Sequence, residues 1–154
     1  MRTFIHPAPF GVLTIQKIIP HRYPFLLVDE VLELGEAGFR ALKNLTINEG
    51  VFAGHFPGAP VYPGVLQIET MAQAGAVWVL NQPEQAGRIA YLMKVEEARF
   101  RNPAVPGDCL EIIGEVKSFK GRTGMCDVRI ECRGKEVSSA TILFAIPKEG
   151  PAGA

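Results

Sequence analysis

The chain lacks an excess of either charge: sixteen Lys and Arg balance sixteen Asp and Glu over 154 residues. Without a basic surplus it has no broad footprint for a phosphate backbone, so no nucleic-acid partner is expected, although a local basic patch is compatible with neutrality. It also lacks an apolar run of membrane-spanning length. The longest, near Ala74 to Leu80, falls well short of the roughly 20 residues a bilayer requires. The opening MRTFIHPAPFG has no continuous apolar segment of the kind a secretory leader needs. Cysteine is scarce: Cys109, Cys126 and Cys132 are odd in number and form no CxxC pair. That usage suits reduced, buried thiols in a cytoplasmic protein. His6, His21 and His55 show no metal-ligand spacing, and without GxGxxG or a P-loop no nucleotide cofactor is implied. No repeat or low-complexity block interrupts the chain.

What is present reads as globular. A hydrophobic fraction of 47% with 21% charged residues argues against disorder, and the length suits one domain with a real core. We read a single domain over residues 1–154, with its core at about 14–146 and loose tails at 1–9 and 147–154. The final KEGPAGA has too little apolar surface to order itself. TIQKIIP, Thr14 to Pro20, predicts a short helix capped by Thr14 and stopped before Pro20. PFLLVDEVLEL and GFRALKNL are β-rich, joined by GEAG as a hairpin. Further on, CLEIIGEVKSF sets Leu110, Ile112 and Val116 against Glu111, Glu115 and Lys117. CDVRIECR alternates more cleanly, Cys126, Val128, Ile130 and Cys132 against Asp127, Arg129, Glu131 and Arg133. Period two with one wet face marks an antiparallel sheet that buries one side. GRTG and RGKE supply turns, and VSSATILFAI is a last strand ended by Pro147.

Between these strand groups, Gly64 to Leu80 is apolar nearly all round, its polar members being Gln67, Glu69, Thr70 and Gln73. Such a helix is buried, and Pro63 and Gly64 stand where orphan N–H groups need no helical partner. The sixteen residues from Val65 would span roughly 24 Å at 1.5 Å each, long enough for a sheet to wrap. The fold class is α+β: one antiparallel sheet around a long central helix.

A carboxylate in that setting is costly to ionise, so burial is expected to raise the pKa of Glu69 and make it a proton donor. Gln73, one turn on, is placed to orient it. His55, held in a loop rich in Gly and Pro, suits a general base. N–H groups near Gly64 suit an anionic oxygen. Base, acid and oxyanion donors together fit removal of a proton α to a carbonyl while a β-hydroxyl leaves as water. Each feature also has a plainer meaning: a loop histidine that is structural, a helical glutamate that faces water, a loop that is only a tight connection. On these residues alone the choice stays open.

PHRYPFLLVDEV, TINEGVFAGHFPGAPVYPGVLQIETMAQ and ARFRNPAVPGD closely resemble the (3R)-3-hydroxyacyl-acyl-carrier-protein dehydratases of bacterial type II fatty acid synthesis, from about Thr14 to Ile146. The resemblance implies the hotdog fold, with dehydration of the acyl-carrier-bound substrate to the trans-2-enoyl thioester. It implies His55 as catalytic histidine, Glu69 as catalytic acid, the Gly64 N–H as the group on the thioester oxygen, and the Val61 carbonyl as the group orienting His55. It further implies a homodimer whose sites pair His55 of one protomer with Glu69 of the other, dimers assembled as a homohexamer, and no metal or organic cofactor. ETMAQ in place of the commoner EAMAQ adds a hydroxyl at Thr70, and Gln67 stands where an apolar residue is frequent. Glu69, where a related dehydratase/isomerase branch carries Asp, argues against isomerisation.

The carrier is acidic, so a basic lip at the tunnel mouth is expected, with Arg99, Arg101, Lys94, Lys120 and Arg122 as candidates. A solvated charged face explains each cation equally well. Phe56, Tyr62, Gln67 and Tyr91 are candidates to line or gate an acyl tunnel, although aromatics serve cores without such a role. His21 is read as packing and edge contact. Two alternatives share the fold or the ligand: a hotdog acyl thioesterase, and a non-catalytic acyl-carrier or acyl-chain binding module.

Overall fold

The computed structural model describes residues 1–148. Seven strands form one sheet in the order β1-β2-β3-β5-β6-β7-β4, every pair antiparallel. They are β1 (Phe10–Gly11), β2 (Glu30–Leu34), β3 (Gly38–Asn44), β4 (Tyr91–Phe100), β5 (Cys109–Lys120), β6 (Thr123–Cys132) and β7 (Lys135–Ala145). Helix α1 (Val12–Ile18) follows β1, and helix α2 (Gly64–Leu80) packs across β3, β5, β6 and β7.

The core follows the alternation. Leu110 and Ile112 of β5 and Cys126, Val128 and Ile130 of β6 are buried, and they meet Met71, Ala74, Val77 and Trp78 of α2 in one cluster. Cross-strand glycines make room for two aromatic rings. Phe39 pairs directly with Gly114, and Phe144 with Gly124. A Cβ on either glycine would run into its partner ring.

Three expectations need correction. Helix α1 begins at Val12 with Gly11 as its N-cap, so Thr14 is internal and caps nothing. β1 pairs Phe10 with Val31 and delivers the chain straight into the helix. The helix ends because Pro20 forces Ile19 into an extended conformation. In PFLLVDEVLEL only Glu30–Leu34 is strand. Leu27 and Val28 are buried as loop, the Leu27 N–H satisfied by the Gln73 side chain.

Strand β4 had no alternation to announce it. Bulges at Leu92/Lys94 and Glu96/Arg99 break its period, and as an edge strand paired only to β7 it leaves most of its residues exposed. The N-terminal segment, expected as a loose tail, is tied to the end of α2. Ile5 and His6 exchange hydrogen bonds with Asn81, and the Arg2 guanidinium lies 4.9 Å over the Trp78 ring. Of the expected C-terminal tail, residues 149–154 lie outside the described residues.

Candidate active site

The histidine is held by its own loop. A 3-10 turn over Gly50–Ala53 leads into His55, whose N–H donates to the Val51 carbonyl at 3.0 Å. The Val61 N–H then donates to the His55 carbonyl at 2.9 Å, while His55 Nδ1 lies 2.7 Å from the Val61 carbonyl. A carbonyl only accepts, so Nδ1 carries the proton and Nε2 of the neutral ring presents a lone pair. Phe56 stacks on the imidazole at 4.0 Å.

The Tyr62 N–H donates to the Ala104 carbonyl, and Pro63 caps α2. Gly64 therefore opens the helix with its N–H ahead of the first helical hydrogen bond. Its lack of a side chain has a packing reason: a Cβ there would stand 2.9 Å from Cε1 of Phe100. His55, Val61, Tyr62, Gly64, Gln67 and Phe100 line one cavity with Arg101, Asn102 and Pro103. Gln67 is 3% exposed. Its Nε2 donates to the Tyr62 carbonyl at 3.1 Å, and its Oε1 is buried without a partner, a cost of about 1–3 kcal/mol in a sealed interior.

Glu69 lies elsewhere. Its Oε1 accepts from Gln73 Nε2 at 2.9 Å, and the buried Gln73 also donates to the Phe25 carbonyl and accepts from Leu27 N–H. The side chain keeps 22% exposure, so one chain desolvates it only in part. Its cavity is lined by His21, Ala72, Gln73, Ala76, Tyr91 and Leu92, among others, and shares no residue with that of His55. The helix explains the separation. Gln67 and Glu69 are two residues apart, about 200° around an axis that turns roughly 100° per residue, so they project from nearly opposite sides of α2.

His21, read from sequence as packing, places Nε2 3.5 Å from Glu69 Oε1. No periodic signal joins positions 48 residues apart, and a histidine in a polar loop announces nothing by itself. Among the tunnel candidates, Gln67 and Tyr62 line the His55 cavity and Tyr91 the Glu69 cavity. Tyr62 is a buried core residue bonded through its hydroxyl to Thr70 Oγ1 at 3.0 Å, and burial pushes its pKa up. It cannot swing as a gate without breaking that bond.

The expected basic lip does not form in one chain. Arg99 and Arg101 lie at the Phe100 end of β4, while Lys120 and Arg122 flank the turn beside Tyr91, Ala145 and Thr123. Ten strand residues place these ends roughly 30 Å apart. Arg99 is paired with Glu97, Arg101 with Glu136 and Lys94 with Glu96.

An antiparallel sheet laid over one long apolar helix defines a hotdog-fold protein, here with a tethered imidazole at the helix start and a carboxyl group on the helix. The chain belongs to the FabA-like family, whose domain model matches residues 19–141. It is 52% identical over 133 residues to the 3-hydroxyacyl-(acyl-carrier-protein) dehydratase FabZ of Thermus thermophilus, covering 86% of this chain and 94% of that one. The enzyme of the same name from Clostridium novyi is 49% identical over 140 residues, 90% and 98% of the two chains. Among solved structures, the dehydratase heterocomplex ApeI:P of Xenorhabdus doucetiae superposes with a TM-score of 0.76 at 20% identity, covering 88% of this chain and 91% of that one. The PaaI protein of E. coli superposes with a TM-score of 0.58 at 18% identity over 75% and 80%. These two likenesses are of fold.

Proposed function

We propose that the protein dehydrates (3R)-3-hydroxyacyl-acyl-carrier-protein to the trans-2-enoyl thioester in fatty acid synthesis. His55 Nε2 takes the α-proton, and the electron pair of that C–H bond becomes the new double bond. The bond to the 3-hydroxyl breaks as Glu69 protonates the departing oxygen, which leaves as water. The Gly64 N–H, with the positive end of α2 behind it, holds the enolate-like thioester oxygen. His55 ends protonated and Glu69 ionised, and proton exchange with solvent restores both. The thioester acidifies its own α-carbon and the helix end stabilises the charge, so the chemistry needs no metal or organic cofactor.

The observation that carries this reading is the tethered His55, which lines one cavity with the start of α2. Because Glu69 projects from the other side of the helix, the acid for each site comes from a second copy of the chain. The open edge of β4, with Tyr91 and Leu92 beside Glu69, suits that copy. The homodimer completes two sites, and three dimers form the hexamer. The carrier docks at Arg99 and Arg101, the candidate cations nearest the His55 cavity. Three free cysteines suit a reducing cytoplasm.

The test is turnover of a 3-hydroxyacyl thioester followed by enoyl absorbance. Glu69→Gln should lose about 10²-fold or more, the scale of one general acid, with unchanged thermal stability. Near wild-type rates in that variant reject the acid's role. Free thiol without enoyl absorbance identifies a thioesterase, and binding without turnover, unaffected by His55→Ala, a non-catalytic acyl-binding module.

A further inference from the structure

Gln67, which lines the His55 cavity, carries one polar atom for which the chemistry above has no use. Gln67 lies on α2 three residues beyond Gly64, about 4.5 Å along the axis. Its amide orientation is set by the donation of Nε2 to the Tyr62 carbonyl, which leaves Oε1 as a buried acceptor with no partner in a residue that lines the same cavity as His55 and Gly64.

The substrate brings a matching vacancy. Its thioester oxygen accepts from Gly64, and its 3-hydroxyl oxygen accepts the proton of Glu69. The hydroxyl's own hydrogen then needs an acceptor. His55 cannot serve, since its Nδ1 proton is spent on Val61 and its Nε2 lone pair is reserved for the α-proton. A hydroxyl two carbons from the thioester carbonyl is displaced from it by about the step that separates Gln67 from Gly64 along the helix. We propose that Gln67 Oε1 accepts the hydrogen bond of the substrate's 3-hydroxyl and so selects 3-hydroxyacyl chains over chains that lack it. A site built to bond a hydroxyl rejects the analogue without one, because its own polar group is then left unpaired.

This inference rests on the dehydratase reading, and the two fail separately. Binding is measured in Glu69→Gln protein, which keeps the ligand intact, with 3-hydroxydecanoyl-pantetheine and decanoyl-pantetheine as probes. Adding Gln67→Met, an apolar side chain of similar length, should weaken the hydroxylated probe about tenfold and leave the saturated probe within about twofold, which also reports that the cavity is intact. Equal losses for both probes, or none for either, overturn the proposal. Should Gln67→Met not fold, the side-chain amide resonance of Gln67 in the Glu69→Gln protein decides. It should shift with the hydroxylated probe and not with the saturated one, and equal shifts count against the assignment. No turnover by the unaltered protein sinks the dehydratase reading itself. Turnover with an unchanged probe preference after Gln67→Met sinks only the role of Gln67.

Discussion

Gln73 is buried and spends both ends of its amide, donating to Glu69 and the Phe25 carbonyl and accepting from Leu27 N–H. Gln73→Leu leaves a backbone N–H and a carbonyl orphaned, so unfolding free energy measured in urea should fall by about 1–3 kcal/mol. It also frees Glu69, so kcat should drop more than KM changes. A second expectation concerns thiols. Burial pushes Cys126 up to about 12 from an ordinary 9.0. The folded protein then holds that proton while the unfolded chain releases it, so the contribution to stability is full below pH 9.0 and is lost as pH rises from there toward about 12. Cys126→Val should flatten the decline of Tm above pH 9. At neutral pH an alkylating reagent should reach exposed Cys109 and spare Cys126 until the protein unfolds.

Elements are held in register by side chains as much as by ladders. Phe39 over Gly114 and Phe144 over Gly124 lock β3 to β5 and β6 to β7, an aromatic filling the space a glycine leaves. Gly114→Ala forces Phe39 out of its rotamer and should cost about 1–3 kcal/mol by overpacking, read as a lower urea midpoint at constant m-value. The long helix and the strands β5 to β7 are legible in the sequence, because burial imposes a period the residues must obey. The edge strand β4 is not, since two bulges and wet faces erase that period. The start of α1 is not legible either: Thr14 has the side chain of a cap, but the short strand β1 feeds the helix directly at Val12.

At the scale of the whole molecule, His55 and Glu69 line separate cavities, so the proposed mechanism requires a second chain. Mixing His55→Ala and Glu69→Gln chains, each inactive alone, and allowing them to exchange should restore about a quarter of wild-type activity. Half of randomly formed two-fold dimers are hybrids, and each hybrid holds one intact site and one doubly defective site. No recovery in demonstrably mixed dimers places both groups in one chain.

The sequence by itself determined the helix, the faces of the long strands and the family resemblance, because each is written in steps of 100° or 180° or in a contiguous motif. Only the tertiary structure decided that His21 meets Glu69, that Gln67 ends with an unspent oxygen, that Arg99 and Lys120 lie at opposite ends of the sheet, and that the N-terminal segment docks on Trp78. Those relations join residues far apart along the chain, and packing chooses them only after every local preference has been satisfied.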